Sequence, residues 1–361
     1  MLRLGSISLV QFRNYPEASF PFVERIVGIC GLNGTGKTNL LDAIYYLSFS
    51  RSYFSRPDSQ NVQHGMAGMR LSGSFELNGE KQELVCILRE NNRKELILNE
   101  EAYRKLSDHI GKFPCVMIAP DDVVIITGGS EERRNGIDSL LSQLEKPYLL
   151  NLIDHNRILQ QRNSLLKAAA ESGILDEALL EILNTQLIAK GNWLYEKRKA
   201  FLNAYLPLVI SLYEKIAGRD DGLLIRYESQ LHQTDFAGLL KNNQSRDLVL
   251  QRTTGGIHRD DLVFTMGNAA FKTEASQGQR KSLLFALKLA EWQTLKEKKG
   301  FTPILLLDDV FEKLDENRMY QLLHWVCTES DGQVFITDTH ADRLQEHLEE
   351  MDVSYQMIQL E

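Results

Sequence analysis

The sequence predicts an α/β fold: a mixed sheet flanked by helices, with an antiparallel β subdomain and an inserted antiparallel helical-hairpin arm. Three observations predict it. Very apolar segments such as "RIVGIC" at 25–30, "PILLLDD" at 303–309 and "QVFIT" at 333–337 alternate with helical segments, as in a mostly parallel sheet covered on both faces. Short alternating runs between about 60 and 118 ("RLSGSFEL", "ELVCILRE", "ELILNE") are separated by glycine and asparagine turns, as in a small antiparallel sheet. From 131 to 215, Leu152, Leu159 and Leu166 and then Leu180, Leu187, Leu194 and Phe201 stand seven apart on either side of the turn "ESGILDE", as in a helical hairpin.

The elements follow in order. Strands are expected at 3–10 and 26–30, then a helix from Lys37 carrying "LLDAIYYLSF". The arms of the hairpin are short, about 30–40 Å at 1.5 Å per residue. After 222, "LLIRYES", "DLVFTM" and "AAFKT" read as strands. A helix begins after Ser276, another spans about 315–329, and a last strand lies near 354–359. The expected division is 1–130, 131–215 for the arm, and 216–361.

The chain has 361 residues, 43% hydrophobic and 25% charged, enough for a large core. A net charge of −8 argues against a generally basic nucleic-acid coat protein but leaves room for a local basic face. Cys30, Cys86, Cys115 and Cys327 are far apart with no CxxC, as expected of reduced thiols in a cytoplasmic protein. No signal-peptide core and no apolar run long enough to span a membrane are seen.

"GLNGTGKT" at 31–38 matches GxxxxGK[ST] between an apolar strand and a helix. Gly31, Leu32, Asn33, Gly34, Thr35, Gly36, Lys37, Thr38 and Asn39 are therefore expected to hold a nucleotide's phosphates. Lys37 would reach the β- and γ-phosphates and Thr38 would ligate Mg²⁺. The motif alone does not choose among kinases, GTPases and ATPases. Asp308 and Asp309 end a buried strand, where ligands bind in open α/β sheets. Asp308 is expected to support Mg²⁺, and Asp309 to polarise the attacking water. Many ATPases of this type place glutamate second; Asp309 is one methylene shorter, which predicts slow turnover.

"SQGQRKS" from Ser276 reads as a capped helix start whose Gln277, Gly278 and Gln279 leave backbone N–H groups open to an anion. It resembles the signature of ABC-type ATPases, which contacts the γ-phosphate held by a partner's P-loop. That resemblance makes Ser276, Gly278 and Gln279 sensors of ATP across a homodimer. It also makes Asp315, in "KLDENR", the D-loop aspartate and His340, after "VFITDT", a switch residue. Arg13 is a further candidate for approaching ATP.

The gap from P-loop to signature exceeds 200 residues and contains the hairpin, which is the layout of SMC-like DNA-repair ATPases rather than transporter motors. The short arms exclude a long coiled-coil chromosome-structure protein on reach. In detail the chain resembles the RecF family nearly end to end: "FRNY" at 12–15, "APDDVVIITGGSEERRNGIDSLL" at 119–141, "LQQRNSLLK" at 159–167, "GIHRDDL" at 256–262 and "LLLDDVFEKLD" at 305–315. Ile257 and "FEKLD" depart from the family's usual residues without touching an expected phosphate ligand. The resemblance implies a weak DNA-dependent ATPase. It further implies an ATP-driven homodimer on double-stranded, gapped or junction DNA, RecR and RecO as partners in recombinase loading, and a part in the SOS response. A non-catalytic clamp, with ATP only a dimerisation ligand, is the rival reading.

DNA phosphates need Lys and Arg on one face. The candidates are Arg51, Arg56, Arg157, Arg162, Lys167, Lys197 and Arg198, with Lys199 beside them. Arg133 and Arg134 serve either DNA, the nucleotide or the structure, and "HRDDL" reads as a structural polar network.

Overall fold

The computed structural model describes residues 1–361 except Arg56, Asn268 and 310–315, and for 316–318 the backbone alone. In chain order it begins with β1 (Leu2–Phe12), β2 (Tyr15–Pro21), β3 (Ile26–Cys30), α1 (Lys37–Phe49), β4 (Met69–Leu77), β5 (Glu80–Leu88), β6 (Lys94–Leu98), β7 (Glu101–Ala102) and β8 (Cys115–Ile118). Next come α2 (Val124–Thr127), α3 (Ser130–Leu144), α4 (Lys146–Ser172), α5 (Glu177–Ala217), β9 (Leu223–Glu228), α6 (Phe236–Leu250), β10 (Asp261–Met266), β11 (Ala269–Ala270) and α7 (Phe271–Glu274). The chain ends with α8 (Gln277–Lys299), β12 (Ile304–Leu307), α9 (Glu316–Thr328), β13 (Val334–Asp338), α10 (Ala341–Glu350) and β14 (Tyr355–Gln359). Two compact units result. The first holds Met1–Asp122, Lys215–Gly218 and Gln277–Glu361, and the second Val123–Glu214 and Arg219–Ser276.

In the first unit a parallel sheet runs β14-β3-β13-β12-β8, and an antiparallel sheet runs β2-β1-β4-β5-β6-β7. The strands of the parallel sheet read as apolar runs because both faces are covered: every residue of β3, β8, β12 and β13 is buried. In β1 the buried side chains are Leu2, Leu4, Ile7, Leu9 and Phe12. The parity changes after Leu4 because the register with β4 shifts between Leu4 and Ser6, a bulge that keeps apolar side chains on one face. Helix α1 lies in the core shared by both sheets, and eleven of its thirteen residues are buried. Gln333, just before β13, joins the sheets. Its side-chain carbonyl accepts the Leu4 N–H at 2.7 Å and its amide donates to the Leu4 carbonyl at 2.9 Å.

In the second unit α4 and α5 form the expected hairpin, with Leu166, Leu180, Leu187 and Leu194 buried. The arms are unequal. At 27 residues α4 is about 40 Å long, but α5 continues for 41 residues, or about 60 Å, past the expected limit. Helix α6, not foreseen from the sequence, packs Phe236, Leu239 and Leu240 against Ile158, Leu183 and Leu187. Gly191 permits this approach, since a Cβ there would lie 2.3 Å from the Phe236 ring. Asp235 caps α6 by accepting the Gly238 N–H at 2.7 Å. Residues 219–276, grouped from the sequence with the C-terminal half, thus lie in the unit that contains the hairpin. "AAFKT" is not a continuous strand: β11 has two residues and Phe271 already begins α7, burying its ring against Tyr213.

Gln333→Ala orphans a buried N–H and a buried carbonyl, so the urea midpoint should fall by an amount equivalent to about 2–4 kcal/mol; an unchanged midpoint contradicts the clasp. Burial holds the imidazoles of His109, His155 and His258 down at about 4, below the ordinary 6.5. The unfolded chain therefore takes up protons first as pH falls from 6.5 towards 4, and stability should decline through that window. A pH-independent midpoint there would count against neutral buried imidazoles.

Candidate functional site

The turn after β3 and the start of α1 form a phosphate loop held from behind by the β1–β2 turn. Gly36 has a φ of 108°, and a Cβ there would lie 2.6 Å from the Asn14 amide and 2.7 Å from the Tyr15 hydroxyl. Only glycine fits both the backbone and the space. Asn14 donates to the Thr35 carbonyl at 3.1 Å, and the Tyr15 hydroxyl donates to the Gly36 carbonyl at 3.0 Å. Burial raises the Tyr15 hydroxyl to about 12, so it remains a donor. Lys37 is buried, its Nζ donating to the carbonyls of Gly31 (2.6 Å) and Leu32 (3.0 Å). Leu32, Asn33 and Gly34 are exposed at the loop's crest.

Thr38 opens the helix beside the carboxylates. Its Oγ1 donates to the Asp308 carboxylate, 3.0 Å from Oδ1 and 2.9 Å from Oδ2. A hydroxyl and a carboxylate this close are the hard oxygen donors that suit Mg²⁺. Burial pushes the Asp308 carboxyl up, as does the neighbouring Asp309, against the hydrogen bonds from Thr337 and Thr38. A cation's charge would offset that cost. The Thr337 Oγ1 donates to Asp308 Oδ1 at 2.8 Å and accepts the Asp309 N–H at 2.8 Å. Asp309 has a φ of 48°, an uncommon conformation for a residue with a Cβ.

Arg13 is largely taken up by protein partners. Its guanidinium pairs with the buried Asp42 at 2.6 Å and donates to Asn39, Asn61, Ser52 and Ser55. It therefore holds Asn39, the residue after Thr38. Asn39 in turn donates to Asn14 at 2.7 Å, closing a ring of side chains around the loop. Asn14, Tyr15 and Thr337 were missed from sequence. "FRNY" was a local signal for the first two, but their contacts span more than 20 residues, and nothing in "VFIT" marks a hydroxyl over a carboxylate.

Ser276 is exposed and directly precedes α8. Gly278 is half-buried and the Gln279 side chain is buried, so at Gln279 it is the backbone N–H, as expected from the sequence, that is the candidate phosphate donor. Leu283, Leu284, Leu287 and Ala290 are buried along α8, as their spacing predicts. His340 is exposed after β13, its backbone N–H donating to Asp338 at 3.0 Å. Asp315 and Arg56 lie outside the described residues.

The basic candidates divide by burial. Arg162, fully buried, pairs with Asp247 at 2.8 Å and donates to Thr253 and Asn184. Arg198, also buried, binds Asp138 at 2.8 Å and Asp260 at 3.1 Å. Neither can meet a DNA phosphate, and both calls are corrected. Arg133 grips Asp261 through two nitrogens and Arg134 donates to the Asp260 carbonyl, so the double arginine and "HRDDL" form one structural network. Arg51 and Lys199 are exposed. Arg157 and Lys167 are well exposed, with only loose intrahelical partners at 3.7 and 3.9 Å. Lys197 is partly committed, to Glu145 at 2.8 Å and the Trp193 ring.

The model of the RecF/RecN/SMC N terminal domain matches residues 3–360. The chain is 41% identical to the DNA replication and repair protein RecF of Flavobacterium johnsoniae, with 99% of this chain and 100% of that one covered. It is 40% identical to RecF of Parabacteroides distasonis, with coverage of 99% and 97%. Among solved structures, the recombination mediator protein RecF-ATP in the RecFOR pathway superposes with a TM-score of 0.87 at 29% identity, over 94% of this chain and 92% of that one. An Smc head domain from Pyrococcus furiosus shares the fold, with a TM-score of 0.54 at 15% identity over 96% of this chain and 92% of that one. A P-loop facing a strand-end carboxylate pair, on an ABC-type head matched from end to end, places the chain in the RecF family of SMC/ABC-type ATPases.

Proposed function

We propose that the protein is an ATP-dependent DNA-binding ATPase of recombinational repair and replication restart. In this reading ATP binding pairs two copies on gapped or junction DNA, and slow hydrolysis releases them. The observation that carries it is the Thr38 hydroxyl on the Asp308 carboxylate, which brings the P-loop helix to the end of β12. The names of its relatives, RecF proteins of replication and repair, and a RecF-ATP structure assigned to the RecFOR pathway, support the cellular setting. RecO and RecR are the corresponding partners, recombinase loading the task, and the SOS response its context.

The chain's own residues do the following. Backbone N–H groups of 33–38 take the phosphates, and Lys37 leaves the carbonyls of Gly31 and Leu32 for the β- and γ-oxygens. Thr38 and Asp308 hold Mg²⁺, which when bound neutralises those oxygens. Asp309 accepts the proton of the attacking water. The Ser276 hydroxyl and the Gly278 backbone present donors to the γ-phosphate of a second copy, joined by the D-loop around Asp315 and by His340. Exposed Arg51, Arg157, Lys167 and Lys199 and the partly exposed Lys197 supply phosphate contacts to DNA.

Light scattering on a sizing column should show a dimer in ATP and a monomer in ADP. Ser276→Arg should bind a fluorescent ATP analogue normally yet stay monomeric; a variant dimer contradicts the trans contact. Arg157→Glu with Lys167→Glu should weaken binding to a gapped duplex and flatten its log K against log salt slope by about 2. An unchanged slope removes both from the DNA face.

A further inference from the structure

We infer that Thr337 is a positioning residue for hydrolysis: its single hydroxyl fixes both strand-end carboxylate residues. This rests on the ATPase reading above and adds to it a residue on a different strand from the carboxylates. Thr337 lies in β13, which pairs with β12 on one side and β3 on the other, and its side chain is completely buried. A threonine hydroxyl has one proton. Asp308, as a carboxylate, can only accept, so that proton points to Asp308 Oδ1 at 2.8 Å. The lone pairs left over take the Asp309 N–H at 2.8 Å. The directions of the two bonds are therefore mutually determined.

The second bond has the greater consequence. Asp309 sits at φ 48°, where a side chain with a Cβ is strained and persists only when its surroundings hold it. The Thr337 oxygen supplies such a hold on the Asp309 backbone, and the backbone angle sets where the carboxylate leaves the chain. The anchor is itself fixed. The next residue, Asp338, is buried, accepts the His340 N–H at 3.0 Å and pairs with Arg343 at 2.5 Å. Thr337 thus ties the end of the strand that leads to His340 to the general base. An aspartate that is already short for the task depends more on its backbone being held, since misplacing a reacting group by about 1 Å can cost about a hundredfold.

Thr337→Val keeps the shape and β-branching but loses both bonds, whereas Thr337→Ser keeps the hydroxyl. Steady-state ATP hydrolysis, binding of a fluorescent ATP analogue and ATP-driven dimerisation should be measured for each. The expected result for Thr337→Val is a kcat lower by about ten- to a hundredfold, with nucleotide Kd within about twofold and the dimer retained. Thr337→Ser should hydrolyse near the wild-type rate. A wild-type kcat in Thr337→Val overturns the proposal, as does equal loss of kcat and nucleotide binding in both variants, which marks a merely structural role. Absence of turnover in the wild type, at the level of Lys37→Ala, instead overturns the ATPase reading on which the proposal rests.

Discussion

Helix α1 has nowhere to move. It sits in a core to which both the parallel and the antiparallel sheet contribute, with Leu40, Leu41, Ile44, Tyr46 and Leu47 closed off from water. Shifting it would open voids in a close-packed interior, and such cavities are costly. Everything at the nucleotide site is referred to this helix. The P-loop runs into its first turn, Thr38 meets Asp308 from it, and Asp42 anchors Arg13 at its second turn. The Gln333 clasp on Leu4 keeps the two sheets that enclose it in register. Chemistry at the loop's crest is therefore built on a helix buried in the core of the first unit, and such a fixed base is what preorganised phosphate binding needs.

The second unit is organised around buried arginines rather than apolar contacts alone. Arg162 and Arg198 are each taken out of water against carboxylates, an arrangement that need not add net stability but is severely disrupted when one partner is lost. Such pairs fix which helix faces which segment. Arg162 of α4 selects Asp247 of α6, and Arg198 of α5 selects Asp138 of α3 and the Asp260 turn. Arg157 and Lys167, by contrast, stay exposed, paired loosely with Asp154 and Glu171 on their own helix.

Much of the first unit was legible because its signals are local. The P-loop, the strand-end aspartates and the apolar strands each occupy fewer than ten consecutive residues with a direct physical meaning. What escaped was long-range. Arginines at 162 and 198 look like surface charge until the carboxylates that bury them, 60 or more residues away, are brought beside them. Helix α6 carries a polar sequence, "KNNQSRD", and is recognisable only by its Asp235 cap and by Phe236 against Gly191. Thr337 is one small residue in an apolar strand, and its part appears only when β13 is laid beside β12.

In the proposed function, nucleotide state controls how this head engages DNA. Sedimentation velocity of the protein with a labelled gapped duplex, in ATP and in ADP, tests it most directly. The account predicts a complex of two protein copies with the duplex in ATP and free duplex in ADP. Equal binding in both nucleotides, or binding by a single copy in ATP, would contradict it.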